Sequence, residues 1–206
     1  MRIPLLIQSG FYLYVTMALI ISGCTKEAIL INTSPEAKPV TTTTTTYTTY
    51  VIRQGQHYCD QSTIKSVSTA EMKFVARFDS TAIYQTISLV NQYDINKLYG
   101  FSEGIDNQYN SARFGWRWSD GALRLFGYVY KSGVRNSLEI GNFNLNSDII
   151  CSIKLNGSNY TFTANGLSIS LPRGLSTLTA RGYQQYPYFG GDETAPHTIN
   201  IKIRPT

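Results

Sequence analysis

Histidine and cysteine are nearly missing from this 206-residue chain, with two of the first and three of the second. His57, His197, Cys24, Cys59 and Cys151 fall into no zinc-ligand spacing. Gly100-Phe101-Ser102-Glu103-Gly104 has the letters of a Gly-x-Ser-x-Gly elbow but no helix after it, which removes the usual support for a serine nucleophile. Each histidine therefore reads as a structural hydrogen-bonding residue. No window has the 3.6-residue apolar period of an amphipathic helix. Charge is sparse, at 15% of residues, and acids are the scarcer sign: 13 against 18 basic residues, for a formal net charge of +5.

What is present begins with a leader. Met1-Arg2 precedes an apolar run from Phe11 to Ile21, which is short for a transmembrane helix of about 20 apolar residues. The run ends in Ile21-Ser22-Gly23-Cys24, which resembles the bacterial lipobox. That resemblance implies a diacylglyceryl group on the Cys24 thiol, cleavage after residue 23 and a lipid bilayer as partner. Losing Arg2 with the leader lowers the formal charge from +5 to +4. On an exported chain this fits acidic glycans, a membrane surface or plain solubility, and does not point to nucleic acid. The expected location is the bacterial cell envelope, with the outer membrane favoured because position 25 is Thr. From Cys24 to about Tyr50, Pro35, Pro39 and the run Thr41 to Thr46 describe a flexible linker, spanning roughly 30 Å r.m.s.. Residues 51–206 are long enough for one domain with a real core.

That domain reads as all-β. Strands are expected at Met72–Phe78, Ile83–Val90, Ala112–Trp118, Ala122–Tyr130, Val134–Ile140, Ile149–Leu155, Tyr160–Ala164, Leu167–Leu171 and Thr198–Arg204. Many short alternating runs separated by turn residues indicate an antiparallel sandwich or barrel. Asp120-Gly121 and Asn156-Gly157 are two-residue hairpin signals. The first sets a register in which Trp118 faces Leu123, Trp116 faces Leu125, Phe114 faces Gly127 and Ala112 faces Val129, all toward the core. The opposite face then carries Arg113, Arg117, Arg124, Phe126, Tyr128 and Tyr130. Arg117 lies directly across from Arg124, an unfavourable pairing that calls for an anion or for Glu139 on the next strand. In the second hairpin, Ile153 is expected opposite Tyr160 and Cys151 opposite Phe162.

Three stretches carry a wider resemblance: Asp94-Ile95-Asn96-Lys97-Leu98-Tyr99-Gly100-Phe101-Ser102, Asn110 to Trp116, and Tyr186-Pro187-Tyr188-Phe189-Gly190-Gly191-Asp192-Glu193-Thr194-Ala195-Pro196-His197. Together they are similar to lipoproteins of Bacteroidota that resemble concanavalin-type jelly rolls. The resemblance covers most of the chain after Tyr50 and implies that sandwich. Its architecture hosts lectins, lyases and hydrolases alike, so the fold does not decide the activity. A jelly-roll glucanase would carry a Glu-x-Asp-x-x-Glu strand, but Glu139 is followed by Ile140, Gly141, Asn142 and Phe143. The Gln-Ile-His strand of a jelly-roll alginate lyase is missing too.

The favoured expectation is a glycan-binding face made of Arg113, Arg117, Arg124, Phe126, Tyr128 and Tyr130. Rings would stack on sugar faces, and guanidinium forks would grip hydroxyls or carboxylates of an acidic glycan. Alternatives are a lyase or hydrolase on the same face, with Tyr128 or Tyr130 as base and Arg113 neutralising a carboxylate, and a structural envelope protein without a small ligand. No cofactor is expected. Asp192 and Glu193 could hold a structural Ca²⁺, although Gly190-Gly191 explains the same loop as a turn. Cys59 and Cys151 could pair or stay free.

Overall fold

A computed structural model describes residues 46–206. The expected leader, Cys24 and most of the Thr-rich linker lie outside the described residues. Twelve strands follow in chain order: β1 Thr48–Ile52, β2 Ser66–Thr69, β3 Glu71–Phe78, β4 Asn96–Ser102, β5 Ser111–Ser119, β6 Ala122–Lys131, β7 Val134–Phe143, β8 Ile149–Asn156, β9 Asn159–Ala164, β10 Leu167–Pro172, β11 Ala180–Gln185 and β12 Ile199–Pro205. They form two six-stranded antiparallel sheets, ordered β1-β12-β3-β8-β9-β10 and β2-β11-β4-β5-β6-β7. Their facing sides interdigitate as rings, with Phe74 edge-on to Phe114 at 5.5 Å, Phe78 against Trp116 at 5.2 Å and Phe114 edge-on to Phe162 at 5.3 Å.

The β5–β6 register is the one expected, from Ala112 opposite Val129 to Trp118 opposite Leu123. Asp120 and Gly121 both take positive φ, as a type I′ turn requires. Trp116, Phe114, Leu123 and Leu125 are wholly buried between the sheets. The second hairpin differs. Its turn is Gly157-Ser158, so Ile153 pairs with Phe162 and Leu155 with Tyr160. Gly157 has positive φ and Ser158 does not, which leaves Asn156 in the strand. A slip of two residues keeps every side chain on its original face, and Cys151, Ile153, Tyr160 and Phe162 all reach the core as expected.

Three expectations about elements are corrected. Ile83–Val90 is not a strand. Its backbone donors are taken by side chains instead: Thr86 N donates to Gln92 Oε1, while Ile87 N and Ser88 N donate to the Glu193 carboxylate. Strands β1, β2, β4 and β11 were not foreseen, because a four-residue run, a bulge or a polar sequence hides the two-residue period. The domain also starts before residue 51, since β1 begins at Thr48 and Tyr50 is buried. Cys59 and Cys151 are both free and buried. A buried ion pair fastens the end of β4 to the segment after β10. Arg173 donates to Glu103 through Nε at 2.6 Å and Nη2 at 2.7 Å, and through Nη1 to Thr177 O at 2.7 Å.

Candidate functional site

The outer face of the second sheet holds a cavity of about 440 Å³. Its floor comes from four adjacent strands: Gln184 and Gln185 on β11, Lys97 on β4, Arg113 on β5, and Tyr128 and Tyr130 on β6. Tyr58, Asn107, Gln108, Tyr186, Tyr188 and Gly191 contribute to the walls. No acidic residue lines it.

Arg113 is placed by its cross-strand neighbours, Gly100 on one side and Tyr128 on the other. Gly100 lets the two strands approach closely, since any side chain there would run into the Ala112 carbonyl and the Arg113 backbone. The guanidinium lies 5.3 Å from the Tyr128 ring centroid and 5.9 Å from that of Tyr130. Arg113 is only 7% exposed, and its Nε is buried without a hydrogen-bond partner.

Lys97 owes its position to an irregularity. The β4–β5 register shifts between Lys97 and Tyr99, so Leu98 and Tyr99 both enter the core while Lys97 stays on the outer face. Lys97 and Tyr188 exchange backbone hydrogen bonds of 2.9 and 3.0 Å, which continue the sheet past β11. The ammonium sits 5.0 Å from the Tyr128 ring and 5.6 Å from Tyr188. A Cβ on Gly190 would meet the Ile95 carbonyl at 2.7 Å as well as Nζ at 2.5 Å, so the position takes glycine. His57 Nδ1 donates to Phe189 O at 2.8 Å and its ring stacks on Tyr188, fixing that wall.

Burial lowers the Lys97 pKa to about 8, helped by the positive charges of Arg113 and Arg135 and opposed by Asp94. Burial likewise lowers the Arg113 pKa and raises that of Tyr128 to about 12. Among the described residues, neither Lys97 nor Arg113 has a carboxylate at salt-bridge distance, whereas six other pairs are formed. The arrangement is two desolvated cations beside phenol rings that meet edge-on, open to solvent on one side.

The six residues expected on one face divide into two groups. Arg113, Tyr128 and Tyr130 line the cavity. Arg117, Arg124 and Phe126 do not. Arg124 is neutralised by Glu139 at 3.0 Å, as anticipated, and by Asp120 at 3.1 Å. Arg117 donates to Tyr93 O at 2.7 Å and covers the Phe126 ring at 4.8 Å, leaving Phe126 buried. Glu193 is occupied by the backbone of residues 87–88, and no metal-ligating cluster occurs among the described residues. Of the glycine pair expected as a turn, Gly191 has φ +86° while Gly190 does not take positive φ and is required by its close approach to the Ile95 carbonyl.

Sequence reasoning missed Lys97, Gln184, Gln185, Tyr58 and the Tyr186–Tyr188 wall. The only hint was that Lys97 and Tyr186-Pro187-Tyr188 both lie in the stretches that carried the resemblance.

No protein-family model and no curated protein sequence matches the chain. Among solved structures, the alginate lyase AlyC3 is similar with a TM-score of 0.52 at 8% identity, over 76% of this chain and 72% of that one. A marine PL7 alginate lyase from Zobellia galactanivorans gives 0.43 at 12% identity, over 76% and 62%. Chicken galectin 2 gives 0.37 at 10% identity, over 75% and 97%. The first of these likenesses bears out the concanavalin-like jelly roll.

Proposed function

We propose that the domain binds an acidic glycan in the cavity built on Arg113 and Lys97. The observation that carries this reading is the pair of cations, desolvated and without carboxylate partners, in a cavity that has no acidic lining. A buried, unpaired guanidinium costs stability, and a carboxylate from outside would offset that cost. A uronate carboxylate would take the Arg113 fork and the Lys97 ammonium. The amides of Gln184, Gln185 and Asn107 would meet hydroxyls, and the phenol rings would stack on the sugar. A glycan array followed by titration calorimetry tests this. Uronate-containing glycans should be retained and Arg113→Gln should lose them. Retention of neutral glycans alone would reject the proposal.

Lys97 favours a second reading, eliminative cleavage. An amine with a pKa of about 8 is substantially neutral near that pH and can accept the C5 proton next to a carboxylate that Arg113 neutralises. As it does so a C4–C5 double bond forms, the C4–O glycosidic bond breaks and the leaving oxygen takes a proton from Tyr130 or water. Incubation with uronate polymers should then release unsaturated products that absorb in the ultraviolet, and wild-type protein that releases none is a binder only.

The lipobox resemblance supports display on the bacterial cell envelope, with the outer membrane favoured, through an acylated Cys24. Cys24→Ala should then stay unprocessed and take up no labelled fatty acid. Normal labelling of that variant would reject the anchor.

A further inference from the structure

We propose that the cavity continues into a second subsite that takes a neutral sugar, so that the ligand is a mixed acidic–neutral oligosaccharide rather than a run of uronates. This rests on the glycan reading above and extends it. A smaller recess of about 130 Å³ adjoins the main cavity and shares Lys97, Tyr128 and Gly191 with it. By the roughly 30 Å³ that a water molecule occupies, it holds about four waters, the scale of one partly inserted sugar ring. Asp94, Arg135, Ser137, Tyr93 and Ile95 line the rest.

The charges in the recess decide its chemistry. The main cavity has cations and no acid, but here Asp94 and Arg135 face one space without pairing with each other, since none of the ion pairs among the described residues joins them. Lys97 stands at the junction and is the group that an acidic residue in the main cavity engages. Beyond it, one negative and one positive side chain cancel. Asp94 can accept from a sugar hydroxyl and Arg135 can donate to another, which a neutral polyol satisfies at once. A second carboxylate would meet Asp94 and be repelled.

Two further features hold the recess in shape. The Asp94 carboxylate lies against Gly191, where any Cβ would strike it and where φ is +86°. Arg117, outside the main cavity, donates to Tyr93 O and places its guanidinium 5.3 Å from the Tyr93 ring. That makes Arg117 a positioning residue for the exposed Tyr93 rim.

Titration calorimetry of the full chain tests the idea with three kinds of probe: glucuronate, disaccharides joining glucuronate to a neutral hexose on either side, and a diuronate. At least one mixed disaccharide should bind about tenfold more tightly than glucuronate, the effect of ~1.4 kcal/mol from the added hydrogen bonds. The diuronate should gain little. Asp94→Asn should raise the ratio of diuronate to glucuronate affinity, and Arg135→Gln should shrink the gain of the mixed disaccharide. Thermal melts would confirm that both variants fold. If glucuronate binds but no disaccharide binds more tightly, the second subsite is rejected. If the diuronate gains as much as the mixed compounds, its neutral specificity is rejected. If no probe binds at all, the glycan reading itself fails.

Discussion

Lys97 and Arg113 concentrate the chemistry of the site, and each implies a measurable trade-off. The Lys97 ammonium is the charged form, so affinity for an acidic ligand should fall as pH rises through about 8. Lys97→Met should bind more weakly below that pH and lose the step, as calorimetry across a pH series would show. The same depressed pKa has the opposite effect on the free protein. Above about 8 the folded state has released this proton while the unfolded chain still holds it, so the Lys97 contribution makes stability rise between about 8 and the usual lysine value of 10.5. Denaturant midpoints of wild type and Lys97→Met should therefore converge as pH rises through that window. Arg113 is a buried cation with an unpartnered Nε, so Arg113→Met should melt no lower than wild type while losing the acidic ligand. A much lower melting temperature would make Arg113 a structural residue.

Among the elements, the β5–β6 hairpin was legible because its turn and its alternation agree. Asp120-Gly121 sets the register, and each tryptophan then has only one apolar face to occupy. Gly121→Val would force a β-branched residue to φ +71°, at a cost of roughly 1–2 kcal/mol in denaturant unfolding. The elements that build the cavity were less legible. β4 carries a bulge, and β11 reads Ala-Arg-Gly-Tyr-Gln-Gln, with no apolar alternation to announce it. The Glu103–Arg173 pair connects distant segments of chain, and neither residue stands out in its own stretch of sequence. Both side chains are within 1% of fully buried, so Glu103→Gln should cost about 3–5 kcal/mol, because it leaves the guanidinium uncompensated.

For the molecule as a whole, stability comes from the layer between the two sheets, and the proposed binding site lies on the outer face of one of them. Trp116→Ala, in the middle of that layer, should cost about 3–5 kcal/mol in equilibrium unfolding. Tyr128→Ala should cost less, since its ring lies among cations outside the inter-sheet core, yet it should weaken sugar binding. The reverse order of stabilities would mean that the faces are exchanged. The sequence alone determined the all-β class, the register of one hairpin and the side of each sheet that faces inward, because a two-residue period and a type I′ turn are local properties of the chain. The same locality made Arg113, Arg117 and Arg124 look equivalent, as alternate residues on one face. The tertiary structure separated them: Glu139, foreseen as one of two alternatives, neutralises Arg124, the Tyr93 carbonyl takes up Arg117, and Arg113 lies over Tyr128 and Tyr130 in a cavity shared with Lys97 and Tyr188. Those neighbours are distant in sequence, and whether a cation finds a carboxylate, a ring or an open cavity depends on which strands lie side by side.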